Sequence, residues 1–85
     1  MRTIGDVYKL AVQTMMEITD RGEFTTIIFI RPATERLLKS VADAKGVKDC
    51  WQLSPDTPIP DFAADIVENF VKIMREYAPD IKVEV

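Results

Sequence analysis

The chain is 85 residues long, 47% hydrophobic and 29% charged, with a formal net charge of −3 at pH 7; this composition specifies one small folded domain over residues 1–85 and excludes disordered and low-complexity architectures. Histidine is absent and Cys50 is the one cysteine, which removes histidine-based triads, histidine-metal sites, an internal disulfide and multi-thiolate metal centres. A chain this short buries only about 60–65% of the surface its unfolded form exposes, so its stability is modest and self-association is an open route to more.

The first helix begins at Thr3-Ile4-Gly5-Asp6, where a hydroxyl stands at the cap position and a carboxylate three residues on faces the unsatisfied amides of the first turn. Ile4, Val7, Ala11, Met15 and Ile18 recur at helical spacing, while Tyr8, Val12 and Met16 widen the apolar face beyond a narrow seam. Gly22 supplies the stop. Residues 25–30, Thr-Thr-Ile-Ile-Phe-Ile, are β-branched and aromatic, and apolar on both alternating faces in their second half; they read as a central strand covered on both sides. Pro32 ends that strand, and a second helix over residues 33–45 turns Leu37, Leu38, Val41 and Ala42 inward before Gly46 terminates it.

Residues 47–53 place Val47, Trp51 and Leu53 at even spacing, with Asp49 interrupting that face, and read as a second strand. Pro55, Pro58 and Pro60 make residues 54–60 a loop. Asp61 then caps a third helix whose stripe is Phe62, Ile66, Phe70, Ile73 and Tyr77, and Pro79 stops it. Ile81, Val83 and Val85 alternate with Lys82 and Glu84 as a half-exposed edge strand. The order is thus α-β-α-β-α-β. The expected fold class is α/β (α+β if the sheet is mixed), a small domain with a three-stranded, mostly parallel sheet in order 2-1-3 and helices on both faces.

Open parallel sheets bind ligands beyond the carboxyl ends of their strands, near a change in strand order. Here that place would gather Arg31, Thr34 and Arg36 after the central strand with Ser54 after the second, a set suited to a phosphate or carboxylate. No glycine-rich phosphate loop accompanies them, and Arg31-Pro32 reads equally as a solvent-facing charge before an ordinary helix start. Cys50 has only Lys48 nearby in sequence to activate its thiol, and so reads as a small hydrophobe. Asp61 and Asp65 stand one helical turn apart, a spacing open to metal or acid-base chemistry, yet their places suit capping and dipole roles. No catalytic residue, metal or cofactor is assigned.

Charge is uneven along the chain: residues 1–48 hold eight basic and six acidic side chains, residues 49–85 three and eight. Overall acidity argues against direct nucleic-acid binding. No apolar run approaches the ~18 residues of a membrane span, the amino terminus lacks a leader-like apolar core, and a lone cysteine fits a reducing setting; a cytoplasmic, non-membrane protein is expected. The favoured function is that of a non-catalytic binding or regulatory protein acting through protein–protein contacts. Trp51 and Ile59, beside and within the proline loop, form one expected interaction surface, and Val83 and Val85 on the edge strand form a second, open to self-pairing. Two other readings remain: an accessory domain holding a phosphorylated or other anionic ligand at Arg31, Thr34, Arg36 and Ser54, and an acidic inhibitor whose carboxyl-terminal half mimics nucleic acid.

Overall fold

In the computed structural model, which describes residues 1–83, the chain forms three α-helices, α1 (Ile4–Asp20), α2 (Ile30–Lys45) and α3 (Ala64–Tyr77), linked through 3₁₀ segments at Phe24–Phe29, Cys50–Gln52 and Asp61–Ala63. Among the described residues there is no strand or sheet, only an isolated antiparallel bridge between Thr3 and Pro58. The expected α/β class and its 2-1-3 sheet are corrected to a helical bundle.

Helix α1 starts where its sequence directs. The Thr3 hydroxyl accepts from the Asp6 amide at 3.4 Å, and the Asp6 carboxylate accepts from the Thr3 amide at 3.1 Å and the Arg2 amide at 2.7 Å, a reciprocal box that satisfies otherwise orphaned donors. The proline loop takes the next two. The Ile4 amide donates to the Thr57 carbonyl at 2.9 Å and the Gly5 amide to the Pro55 carbonyl at 2.8 Å, while the Ile59 amide donates back to the Arg2 carbonyl at 2.9 Å. Proline lacks an N–H but keeps a full carbonyl acceptor, so a segment that cannot continue a helix can still close one. Gly5 permits the approach: a methyl group there would sit 3.0 Å from the Pro55 carbonyl oxygen and 3.3 Å from its Cβ.

Among the described residues none of the three expected strands forms, for identifiable reasons. Gly22, at φ 76°, reverses the chain after α1, and the Glu23 amide returns to the Ile18 carbonyl at 3.1 Å. The run that follows has no neighbouring strand to pair with, so it takes a 3₁₀ form whose backbone bonds are internal; strand propensity yields to context. Pro32 stands in the first turn of α2, where amides have no intrahelical acceptor, and the helix opens at Ile30 rather than at residue 33. In residues 47–53, the Asp49 carboxylate accepts from the Trp51 amide at 3.0 Å and starts a 3₁₀ turn, a local bond competing with extended backbone. Ile81 and Val83 pack half-buried against the core without forming a strand, and the rest of that expected strand, Glu84 and Val85, lies outside the described residues. Asp61 does not cap α3 but sits inside the 3₁₀ segment after Pro60, and Phe62 leaves the apolar stripe for solvent.

The buried cluster joins all three helices: Ile4, Val7 and Ile18 from α1, Leu37, Leu38 and Val41 from α2, and Phe70 and Met74 from α3. Thr14 and Thr34 are buried with them, and their hydroxyls donate to the carbonyls one turn earlier, Leu10 and Ile30, each at 2.8 Å; burial therefore leaves neither unsatisfied. Among the described residues no helix is long and apolar enough to cross a membrane.

Two outcomes are expected. Gly5→Ala forces the Pro55 carbonyl away from α1 and lowers stability by about 1–3 kcal/mol, read as a drop in the urea midpoint. The Asp6 carboxyl is held below its ordinary value of 3.8 chiefly by the Arg2 and Thr3 amides, so its contribution is complete above the unfolded pKa and lost as pH falls through the folded one. Asp6→Asn is accordingly less stable than wild type at neutral pH, and urea unfolding at about pH 2 shows the gap closing.

Candidate interaction surface

An apolar groove of about 360 Å³ runs between α1 and α2. Helix α1 contributes Tyr8, Ala11, Val12 and Met15, α2 contributes Ile30, Arg31 and Thr34, and Trp51 closes one side. The breadth of the apolar face on α1 makes the groove: Ile4, Val7, Ala11 and Ile18 satisfy the core, which leaves Val12 49% exposed on the groove's flank, whereas Met16 borders a separate hollow with Gln13, Glu17 and Ile81. Trp51 reaches the rim because its neighbours Cys50 and Leu53 are drawn into the core on either side of a tight turn. The Arg31 guanidinium lies over the indole, 5.3 Å from the ring centroid, a cation–π contact that holds both side chains at the rim.

The 3₁₀ segment runs in sequence directly into Ile30 and Arg31 of the groove's α2 wall. Its large apolar side chains Phe24, Ile28 and Phe29 are more than half exposed. Phe29 stacks on Tyr77 of α3 with centroids 6.3 Å apart and planes within 5°, and Arg21 donates to the Tyr77 carbonyl and pairs with Glu23 at 3.4 Å. These contacts fix the segment to the ends of α1 and α3, with Ile27 packed against the core and Phe24 and Ile28 exposed.

The groove offers apolar surface, one cation and few free polar groups. The Thr34 hydroxyl is occupied by the Ile30 carbonyl. The Tyr8 hydroxyl is buried with no hydrogen-bond partner among the described residues, and its pKa is raised by burial first and then by the neighbouring Cys50 and Asp49. Such a surface is suited to binding rather than bond-breaking. A larger trough of about 690 Å³ beside α3 sets Val67 and Val71 among Glu68, Lys72, Arg75 and Glu76, a charged frame that the α1–α2 groove lacks.

Of the residues expected to hold an anion, Arg31 and Thr34 share this groove, but Arg36 lies on the opposite flank of α2 beside Ile66 and Ile73 of α3. Ser54 is exposed in the proline loop, where its hydroxyl accepts from the Asp56 amide at 3.3 Å. The strand ends that were to gather these four residues do not exist among the described residues. Trp51 stands at the groove; Ile59 is half-buried in the loop that closes α1; Val83 is half-buried on the core, and Val85 lies outside the described residues. Ile28 lies in the run whose strand pattern placed it in the interior, and Phe24 stands just outside that run; Val12 left a signal in the excess width of the first helix's stripe. Comparison with protein-family models, curated proteins and solved structures finds no match to this chain.

Beneath Trp51, the Cys50 thiol is buried, and burial first, then the negative Glu35 and Asp49, push its pKa up. Iodoacetamide at neutral pH is expected to label Cys50 at least about 100-fold more slowly in the native protein than in denaturant.

Proposed function

We propose that this chain is a small, non-catalytic protein-interaction domain that binds through the α1–α2 groove and the adjoining 3₁₀ segment. The observation that carries this reading is the concentration of exposed apolar side chains there, with Trp51 held at the rim by Arg31. Aromatic anchors beside an arginine supply large contact area at low ordering cost, the usual composition of an interface centre. A fitting partner brings apolar side chains to the groove and a carboxylate to Arg31. A cytoplasmic setting belongs to the same proposal, supported by a single unpaired cysteine kept as a buried thiol.

The test is site-specific photocrosslinking in the cells that make the protein, with a benzoylphenylalanine in place of Ile28 and, separately, of Lys72 on the outer face of α3. Discrete protein adducts from position 28, and none from position 72, are the expected result. Equal labelling from both positions, or no protein adduct from position 28, overturns the reading.

A further inference from the structure

We propose that the partner seats an amphipathic helix in the α1–α2 groove, with apolar side chains inward at i, i+3 or i+4, and i+7, and one carboxylate set at Arg31. This rests on the interaction reading above and narrows it to one form of occupant. Depth, backbone chemistry and charge support it.

The depth comes from small side chains. Ala11 and Thr34, 5% and 3% exposed, form the floor with Ile30, and Tyr8, Val12, Met15 and Trp51 stand around them. The space they leave, about 360 Å³, is more than twice the ~150 Å³ that admits one benzene-sized group, so it takes about two or three apolar side chains. Along α1 the lining runs from Tyr8 to Met15, a step from i to i+7 that covers about 10 Å at the helical rise. A helix laid on the groove brings its own anchors at i, i+3 or i+4, and i+7 over that same length.

Backbone chemistry selects the helix over an extended peptide. Every residue of an extended segment carries main-chain donors and acceptors that need partners when water is displaced. The groove offers almost none: the Thr34 hydroxyl is spent on the Ile30 carbonyl at 2.8 Å, the Tyr8 hydroxyl is buried, and α1 and α2 close their own backbone bonds. Among the described residues there is no strand edge to extend. A helix satisfies its main chain internally and shows the groove only side chains.

Charge fixes the remaining group. Among the described residues the Arg31 guanidinium has no carboxylate partner; its contact is the Trp51 ring, 5.3 Å away. That contact uses no acceptor, so the planar N–H fork keeps its donors for a carboxylate. All three helices of this chain contribute apolar side chains to its own core, which leaves the groove to a helix from a different protein.

The test places benzoylphenylalanine in place of Val12, on the groove wall, in the cells that make the protein, and identifies the captured segment by mass spectrometry. That segment is then synthesised and titrated into the wild-type protein, with fluorescence of the single tryptophan, Trp51, reporting occupancy and circular dichroism reporting the peptide's form. The expected segment has apolar residues at i, i+3 or i+4, and i+7 beside an aspartate or glutamate, shifts the Trp51 emission to the blue and gains helix on binding. Val12→Asp alters an exposed position, keeps the protein's own helical circular dichroism and weakens binding at least about tenfold. Arg31→Gln weakens it about two- to fivefold, a difference that closes in about 1 M salt. Phe62→Ser, exposed on the Asp61–Ala63 segment, leaves it unchanged. A captured segment that is proline-rich or binds without gaining helix, an adduct to a second copy of this chain, or wild-type affinity in either groove variant overturns the proposal. The lack of any protein adduct from position 12 also overturns it: where position 28 still captures a protein the interaction reading stands without the groove helix, and where neither position captures one both end.

Discussion

The attachment of the proline loop to the first turn of α1 organises the rest of the molecule. Pro55 and Thr57 lend carbonyls to the Gly5 and Ile4 amides, and Arg2 returns one to Ile59, so a segment without secondary structure of its own is held by backbone bonds at both sides of the chain. The other end of the same connection is held at α2, where Gly46 takes φ 71° and the Val47 amide bonds the Ala42 carbonyl at 2.9 Å. Between these two fixed points Cys50 and Leu53 go inward, and Trp51 has no direction left but outward. The position of the one tryptophan at the groove is therefore a consequence of how α1 is capped, some fifty residues away in sequence.

That dependence explains which parts of the fold were legible from residues alone. Elements specified locally came through: the Thr3–Asp6 box, the left-handed stop at Gly46, and the third helix with Phe70 of its stripe buried. Elements that depend on a distant partner did not. A strand is defined by what lies beside it, and the β-branched run before Pro32 has nothing beside it to pair with, so its pattern described a preference without a place to satisfy it. The proline loop was recognisable as a loop, but no sequence rule says that its carbonyls close another helix.

The candidate surface was legible in a similar, partial way. Trp51 and Arg31 were singled out for separate reasons, one as an aromatic at a stiff loop and the other as an anion ligand, and the structure sets them against each other as a single stacked pair. Their grouping depends on the Cys50–Gln52 turn packing against α2, which periodicity does not specify. On this face the Thr34 hydroxyl is answered by the Ile30 carbonyl and the Tyr8 hydroxyl is buried without a partner among the described residues, and much of what remains uncovered is apolar. Uncovered apolar surface carries a standing free-energy cost in water that contact with another molecule removes.

The 3₁₀ segment has a further consequence for the life of the chain outside its native state. Its last five residues and the first of α2, Thr25-Thr26-Ile27-Ile28-Phe29-Ile30, contain no charge, no proline and no glycine, the composition of a steric zipper. While its backbone is wound on itself, its amides and carbonyls are turned away from the extended form in which such segments stack. Fraying of that one turn, at the junction of α1 and α2, would hand a six-residue template for cross-β growth to any neighbouring chain, so the winding of this segment guards solubility as well as shaping the face.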